Sequence, residues 1–163
     1  MINKNEFIES FTKEIDIIRH LATKVTPDML EYRPHEKQRS MQDLMQYLGH
    51  IFDLGTTLIV QGNSNNYMDL AKNAPTVTLV TFDQIMKEES GRVVEMINAF
   101  SDESLTEEIE IFGRKASRAM HMLGVMKWAV AYKMQLFLYI KACGNHDIST
   151  MNLWVGVDPS PKE

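Results

Sequence analysis

Residues 126–144 read MKWAVAYKMQLFLYIKACG and carry the strongest helical signal in the chain. Apolar side chains surround this stretch on nearly every face, as expected of a helix at the centre of a bundle. The pattern predicts a helix over 117–143, ended by Gly144. Trp128 and Tyr132 lie four residues apart, so their side chains share a face that we expect to point inward. The pair is either ordinary core or the floor of a pocket.

Three further segments with helical periodicity precede this one. Apolar residues recur every three or four positions over about 3–24, 40–61 and 82–101. The second segment starts with Ser40, and Asp43 three residues later gives it a capping-box pattern. Gly91 in the third predicts close packing, since glycine in a helix costs about 1 kcal/mol relative to alanine. We predict an all-α four-helix bundle that forms a single domain over 1–163.

Two segments outside the helices carry weaker patterns. Residues 106–113, TEEIEIFG, alternate polar and apolar, which indicates a short strand or extended loop. This segment belongs to a long, partly ordered connection between the third and fourth helices. We expect the C-terminal tail to pack on the bundle, because it includes the apolar residues Leu153, Trp154, Val155 and Val157.

Composition and charge argue against several classes of function. The net charge of −5 removes the electrostatic basis for binding nucleic acid, so we expect no such partner. No apolar run reaches the roughly 18 residues that cross a bilayer, and residues 1–12 lack a signal-peptide pattern. The single cysteine, Cys143, favours a reducing compartment. We expect a cytoplasmic protein with no membrane partner, and we expect Glu88 and Glu89 on a solvated face.

Polar and aromatic side chains on the second and fourth helices form the candidate site. Bundles place their sites on facing side chains in the core. The candidates are Tyr47 and His50 on the second helix, and His121, Trp128, Tyr132 and Gln135 on the fourth. Aromatic walls with few polar groups suit a small, largely apolar ligand. Large aromatic residues also fill cores without any ligand, so both interpretations are open on the sequence alone.

Four short motifs are spread along nearly the whole chain. They are the segment 26–34 (TPDMLEYRP), the stretch SMQDLM at 40–45, the helix end at 135–144, and LWVG at 153–156. Their order and spacing resemble the DinB (DNA damage-inducible) superfamily, which includes the YfiT-like proteins. The resemblance implies a four-helix bundle, often dimeric, so we expect a homodimer. In many members it also implies a divalent metal held by three histidines, and in some a thiol-dependent transferase or isomerase, or a metal-dependent hydrolase. The family name implies no contact with DNA.

The histidines that the resemblance implies are absent from their expected positions. Those positions fall on Tyr47, Trp128 and Tyr132 here. A protonated phenol, with a pKa near 10, is a poor metal ligand, and the indole of tryptophan only donates hydrogen bonds. We therefore expect no metal and no cofactor. The favoured interpretation is a metal-free bundle that binds a small molecule or regulates, rather than an enzyme.

Three alternatives follow from the same residues. A displaced metal site using His50, His121 and a carboxylate such as Asp43 would support a metal-dependent (thiol) transferase or hydrolase. Acid–base chemistry by Tyr132 and His50 would need no metal. A structural dimer without a ligand would use the apolar circumference of the fourth helix.

Overall fold

The apolar stripes of the long helices meet in a bundle, which a computed structural model describes over residues 3–160. The ends of the expected 1–163 domain, 1–2 and 161–163, lie outside the described residues. The helices are α1 (Lys4–Ala22), α2 (Met41–Leu48), α3 (Ile51–Gln61), α4 (Tyr67–Asn73), α5 (Phe82–Asn98), α6 (Asp102–Thr106), α7 (Arg118–Ala142) and α8 (Thr150–Trp154). A 3₁₀ helix covers Pro27–Met29, and the strands β1 (Glu108–Ile111) and β2 (Arg114–Ser117) pair antiparallel. The predicted all-α bundle is confirmed. Within 3–160, no helix combines the length and hydropathy that crossing a membrane requires.

The core lies between α1, α3, α5 and α7. Helix α1 packs against α5 and α7, and α3 packs against the same two helices. Large side chains from all four are fully buried there, including Phe11, Phe52, Met86, Val93 and Leu136. Each buried side chain of this size contributes about 1.5–3 kcal/mol relative to an exposed one. This core fixes the spacing of α3 and α7, the two helices that flank the candidate site.

The helix predicted over 40–61 is two helices, α2 and α3, separated at Gly49 and His50. The expected Ser40–Asp43 capping box does start α2. His50 has φ −134° and ψ 0°, which lies outside the helical region. A Cβ at residue 49 would lie 2.8 Å from a methyl group of Val77, in the loop between α4 and α5, so only glycine fits beside that loop. Periodicity did not reveal the break, because α2 and α3 both continue to bury one apolar face.

Glycine permits close helix packing at Gly55 and not at Gly91. Within the described residues, and outside its own helix, no atom lies within 4 Å of a Cβ built at residue 91. The predicted close packing at Gly91 is therefore wrong. A Cβ at residue 55 would lie 2.5 Å from Val125 on α7, so it is the missing side chain at Gly55 that lets α3 approach α7.

Strand β1 and the turn of the hairpin lie within 106–113, the segment predicted to be a strand or an extended loop, whereas β2 lies outside that segment and was not predicted. The turn residues, Phe112 and Gly113, have φ angles of 50° and 75°. Two-residue hairpin turns require such positive angles, although a bulky residue rarely adopts them. The backbone amide of Phe112 donates to the hydroxyl of Ser64, at 3.0 Å. This bond holds the hairpin tip beside the connection that follows α3.

The C-terminal tail packs on the bundle, as predicted, but only through part of its apolar sequence. Leu153 is buried, and the buried amide of Asn152 bonds with Asp158 and with the ring of His20 on α1. Trp154 and Val155 are exposed. The tail is therefore attached by two buried apolar side chains, Ile148 and Leu153, and by a polar network.

Candidate functional site

A groove between α3 and α7, the α3–α7 groove, contains two adjacent pockets. Their volumes are about 200 and 230 Å³, and both are lined by Gly55, Leu58, Phe112 and Trp128. Small-molecule sites typically have volumes of about 300–1,000 Å³. Each pocket alone is smaller, but the two together fall within that range. Because their walls are mainly apolar, the groove is the candidate ligand site.

The first pocket is lined by two of the six candidate residues, His121 and Trp128, and His121 is the buried polar one of these two. His121 is 8% exposed, and its Nε2 lies 3.3 Å from the backbone oxygen of Ile109. A carbonyl oxygen only accepts, so Nε2 carries the proton in this contact. Nδ1 makes no hydrogen bond with any residue in 3–160. In the neutral ring, Nδ1 is therefore available to accept a hydrogen bond from a ligand.

The second pocket has aromatic walls. Tyr47 and Tyr67 line it together with Ile51 and Leu54. The ring of Phe112 lies 5.2 Å from the ring of Tyr67 and 6.5 Å from that of Trp128, measured between centroids. Phe112, at the hairpin tip, thus bridges α4 and α7 and forms the wall that both pockets share.

Trp128 lies at the mouth of the groove, and the prediction that it points inward is wrong. Its side chain is 44% exposed. The buried line of α7 instead runs one residue further on, through His121, Val125, Ala129, Lys133 and Leu136. The error arose because α7 is apolar nearly all round, so its faces do not differ enough in polarity to be told apart.

An aromatic–cation cluster includes Tyr47 and Tyr132, two of the three positions where the resemblance implies metal ligands. The rings of Tyr47 and Tyr132 lie 4.6 Å apart, and the guanidinium carbon of Arg39 lies 4.6 Å from the first and 5.2 Å from the second. Arg39 also donates to the Tyr132 hydroxyl, at 3.2 Å. Burial, with a smaller effect of Tyr132, raises the pKa of Tyr47 to about 12. Protonated phenols beside a guanidinium do not fit a divalent metal.

His50 is held in a buried network. Its Nδ1 lies 2.6 Å from Oε1 of Glu89, and its Nε2 lies 2.8 Å from the backbone oxygen of Pro75. Glu89 is fully buried, so the expected solvated face is wrong at this residue. Burial raises the pKa of Glu89 to about 7. Burial acts to lower the pKa of His50, but the hydrogen bond and charge of Glu89 outweigh it and raise that pKa.

The displaced metal site does not assemble. Both ring nitrogens of His50 are engaged, and His50 and His121 line different pockets. The Asp43 carboxylate accepts from the Ser40 amide as part of the α2 cap. Over residues 3–160, no three histidine, cysteine, aspartate or glutamate side chains are grouped so that they could hold a metal.

The remaining candidate, Gln135, is hydrogen bonded to Tyr139 and does not line the groove. Its amide donates to the Tyr139 hydroxyl at 2.6 Å, and that hydroxyl donates to the backbone oxygen of Arg39 at 3.1 Å. Of the six candidates, Tyr47, His121 and Trp128 line the groove, and Tyr132 packs on Tyr47. His50 and Tyr47 line a smaller pocket of about 160 Å³ beside it.

The sequence pattern did not reveal three residues of the groove or one buried ion pair. Phe112, Arg114 and Lys127 line the first pocket, and two of them belong to the hairpin. Lys133, which is 1% exposed, lies 2.5 Å from the Glu14 carboxylate. Its position four residues after Ala129 and three before Leu136 was the one available signal that it is buried.

Comparisons with known proteins give relatives of the same fold. No family model matches the chain. It is 23% identical over 151 residues to the uncharacterized protein YjoA of Bacillus subtilis (strain 168), covering 91% of this chain and 96% of YjoA. The crystal structure of that DinB-like protein superposes with a TM-score of 0.74 at 22% identity, over 88% of this chain and 96% of YjoA. The chain has the DinB-like fold.

A second DinB-like structure agrees. The protein from Bacillus cereus ATCC 10987 gives a TM-score of 0.67 at 16% identity, over 86% of this chain and 92% of that one. The DinB-like fold that the motifs implied is thus confirmed.

Proposed function

We propose that this chain is a DinB-family bundle whose α3–α7 groove binds a small, largely apolar ligand without a metal, for transport, sensing or regulation rather than catalysis. The observation that supports this most directly is the pair of adjacent apolar pockets that share Gly55, Leu58, Phe112 and Trp128. Apolar walls stabilise such a ligand by removing its surface from water. His121 supplies a polar contact that can orient the ligand.

Loss of the family's three-histidine site is part of the proposal. Tyr47, Tyr132 and Arg39 support it, because this cluster brings a positive charge and no anionic ligand. Elemental analysis tests this part. The untagged protein is measured as purified, and again after incubation with zinc followed by dialysis that removes unbound metal. We expect far less than one metal ion per chain in both measurements. Stoichiometric zinc that survives dialysis would overturn it.

Tryptophan fluorescence tests ligand binding directly. The chain has two tryptophans, so Trp154→Phe leaves Trp128 at the groove mouth as the only reporter. We expect 1-decanol, a neutral apolar probe, to change its emission saturably. The reciprocal variant, Trp128→Phe, should show no change, because Trp154 lines neither pocket of the groove.

Two glycines provide a matched test of location. Gly124 lines the first pocket, and a Cβ built there meets no atom within 4 Å in the described part of the chain outside its own helix. Gly124→Leu should therefore fill the pocket and abolish the response in the Trp154→Phe background. Gly91→Leu adds the same side chain to an open helical position outside the groove, and should leave binding intact. Unchanged binding in Gly124→Leu would contradict the assignment of the site.

We also propose that the protein acts as a homodimer, as the resemblance implies, and that it works in the cytoplasm, which its single cysteine favours. Exposed apolar side chains of α7 and the tail, such as Leu138 and Trp154, support an interface between copies. Sedimentation at micromolar concentration should give twice the chain mass, and a monomer there would contradict the dimer.

A further inference from the structure

We propose that the ligand is an amphiphilic monoanion, with an apolar chain in the α3–α7 groove and its anionic group between Arg114 and Lys127. This inference rests on the proposed function of the groove and adds the charge and polarity of the molecule it holds. It follows from an asymmetry between the two pockets.

The first pocket has a cationic rim. Arg114 and Lys127 belong to its lining, which includes no aspartate or glutamate. The chain as a whole carries a net charge of −5, so this rim is opposite in sign to the average surface. A local positive potential attracts anions and repels cations.

The two rim cations are not neutralised by the protein. Across residues 3–160, neither Arg114 nor Lys127 lies within ion-pair distance of a carboxylate. Basic neighbours in the same region do have partners: Lys115 lies 4.0 Å from Glu110, and Arg118 lies 3.3 Å from Glu107. Near the hairpin, Arg114 and Lys127 therefore keep charges that a ligand can neutralise, whereas those of Lys115 and Arg118 already have partners.

The second pocket is uncharged. Its lining consists of aliphatic and aromatic residues, glycine, and the hydroxyls of Tyr47 and Tyr67. Phe112 and Trp128 belong to both pockets, so the alkyl chain of a ligand can pass along their rings from one pocket into the other. A molecule that matches both environments has one anionic end and one apolar end. A small inorganic anion would leave the second pocket unused, and an amine would meet the cationic rim.

Three ligands of equal chain length test the sign of the charge. Decanoate, 1-decanol and decylamine are titrated into the Trp154→Phe protein at about pH 7.5, below the concentrations at which they form micelles. We expect decanoate to bind about three- to tenfold more tightly than decanol at low salt, because exposed ion pairs are individually weak. Decylamine should bind most weakly. The decanoate advantage should shrink as salt screens the rim.

Charge-removing variants test the location of the anionic group. Arg114→Gln with Lys127→Gln should remove the advantage of decanoate and leave decanol affinity unchanged. Lys115→Gln with Lys141→Gln makes the same change in net charge at residues outside both linings, and should alter neither affinity.

The outcomes separate the two proposals. If decanol and decanoate bind equally, and the Arg114/Lys127 variant changes neither, the anionic preference is wrong and the apolar site stands. If the control variant weakens decanoate as much as the rim variant, the effect is one of net charge and the rim assignment is wrong. If none of the three ligands changes Trp128 emission, both proposals fail.

Discussion

Nδ1 of His50 lies 2.6 Å from Oε1 of Glu89, and this buried contact joins the break between α2 and α3 to the middle of α5. The second oxygen of Glu89 is buried and has no hydrogen-bond partner in the described part of the chain. A buried carboxylate oxygen without a partner disfavours the charged form. The pair therefore retains protons to a higher pH than the same residues would in an unfolded chain.

Replacing Glu89 should flatten the pH dependence of stability. Glu89 has a folded-state pKa of about 7 against an ordinary value of 4.5, and the pKa of His50 is also raised. The folded chain thus binds more protons than the unfolded chain over this range, so the free energy of unfolding falls as pH rises through it. In Glu89→Gln, the side-chain amide can donate a hydrogen bond to His50 but does not titrate. We therefore expect the decrease in the free energy of unfolding between about pH 5 and pH 8 to become smaller by at least about 1 kcal/mol.

Urea denaturation at a series of pH values measures this effect. Glu88→Gln changes the neighbouring exposed carboxylate and should retain the pH slope of the unaltered protein. An equal slope in Glu89→Gln would show that the pair does not hold the extra protons.

Breaking the buried ion pair of Lys133 should be costly. Lys133→Met leaves the Glu14 carboxylate, which is 13% exposed, without its partner 2.5 Å away. Loss of one member of a buried pair costs about 3–5 kcal/mol, and the partial exposure of Glu14 places our expectation at about 2–4 kcal/mol. Adding Glu14→Gln should recover most of the loss. Lys13→Met, at an exposed position on α1, should stay within about 0.5 kcal/mol in the same denaturation experiment.

Gly55 and Gly91, which both lie inside helices, should respond to alanine with opposite signs. Gly55→Ala places a Cβ 2.5 Å from Val125, and the resulting overpacking should cost about 1–3 kcal/mol. Gly91→Ala meets open space in a helix and should gain about 0.5–1 kcal/mol. Thermal and urea unfolding provide the comparison. Val125→Ala should restore part of the stability of Gly55→Ala, and a loss that is instead additive would place the strain elsewhere.

Removing the guanidinium over the two tyrosines should have a modest effect. Arg39→Met loses a hydrogen bond to Tyr132 and contacts with two rings, which we expect to cost about 1 kcal/mol because Arg39 is exposed. Arg33→Met is the matched control, since Arg33 is also exposed and makes no hydrogen bond within the described residues. Urea denaturation that ranks Arg33→Met as the more damaging change would contradict the role given to Arg39.

Helical periodicity was enough to predict the bundle and the approximate positions of its long helices. It did not reveal the interruption at His50, because α2 and α3 both bury an apolar face and the partners of His50, Glu89 and Pro75, are 39 and 25 residues away. Gly91 and Gly55 look alike in sequence, and only the packing of Val125 distinguishes them.

The candidate site was predicted in part. Tyr47, His121 and Trp128 do line the groove, because helical spacing limits which side chains can share a face. Phe112 and Arg114 were beyond prediction, because a hairpin brings them over helices that are distant in sequence. Glu89 was misassigned because a charged residue beside another charged residue ordinarily faces water.

The His50–Glu89 contact also restricts the substitutions that descendants of this sequence can accumulate. Loss of the imidazole first would leave the buried carboxyl group of Glu89 without its hydrogen-bond partner and would lower stability. If Glu89 changes to glutamine first, both ring nitrogens of His50 can stay hydrogen bonded, so this step costs little stability. His50 can then vary without leaving a buried carboxyl group behind. The order of mutations at these two positions, rather than the individual residues, is what the buried contact constrains.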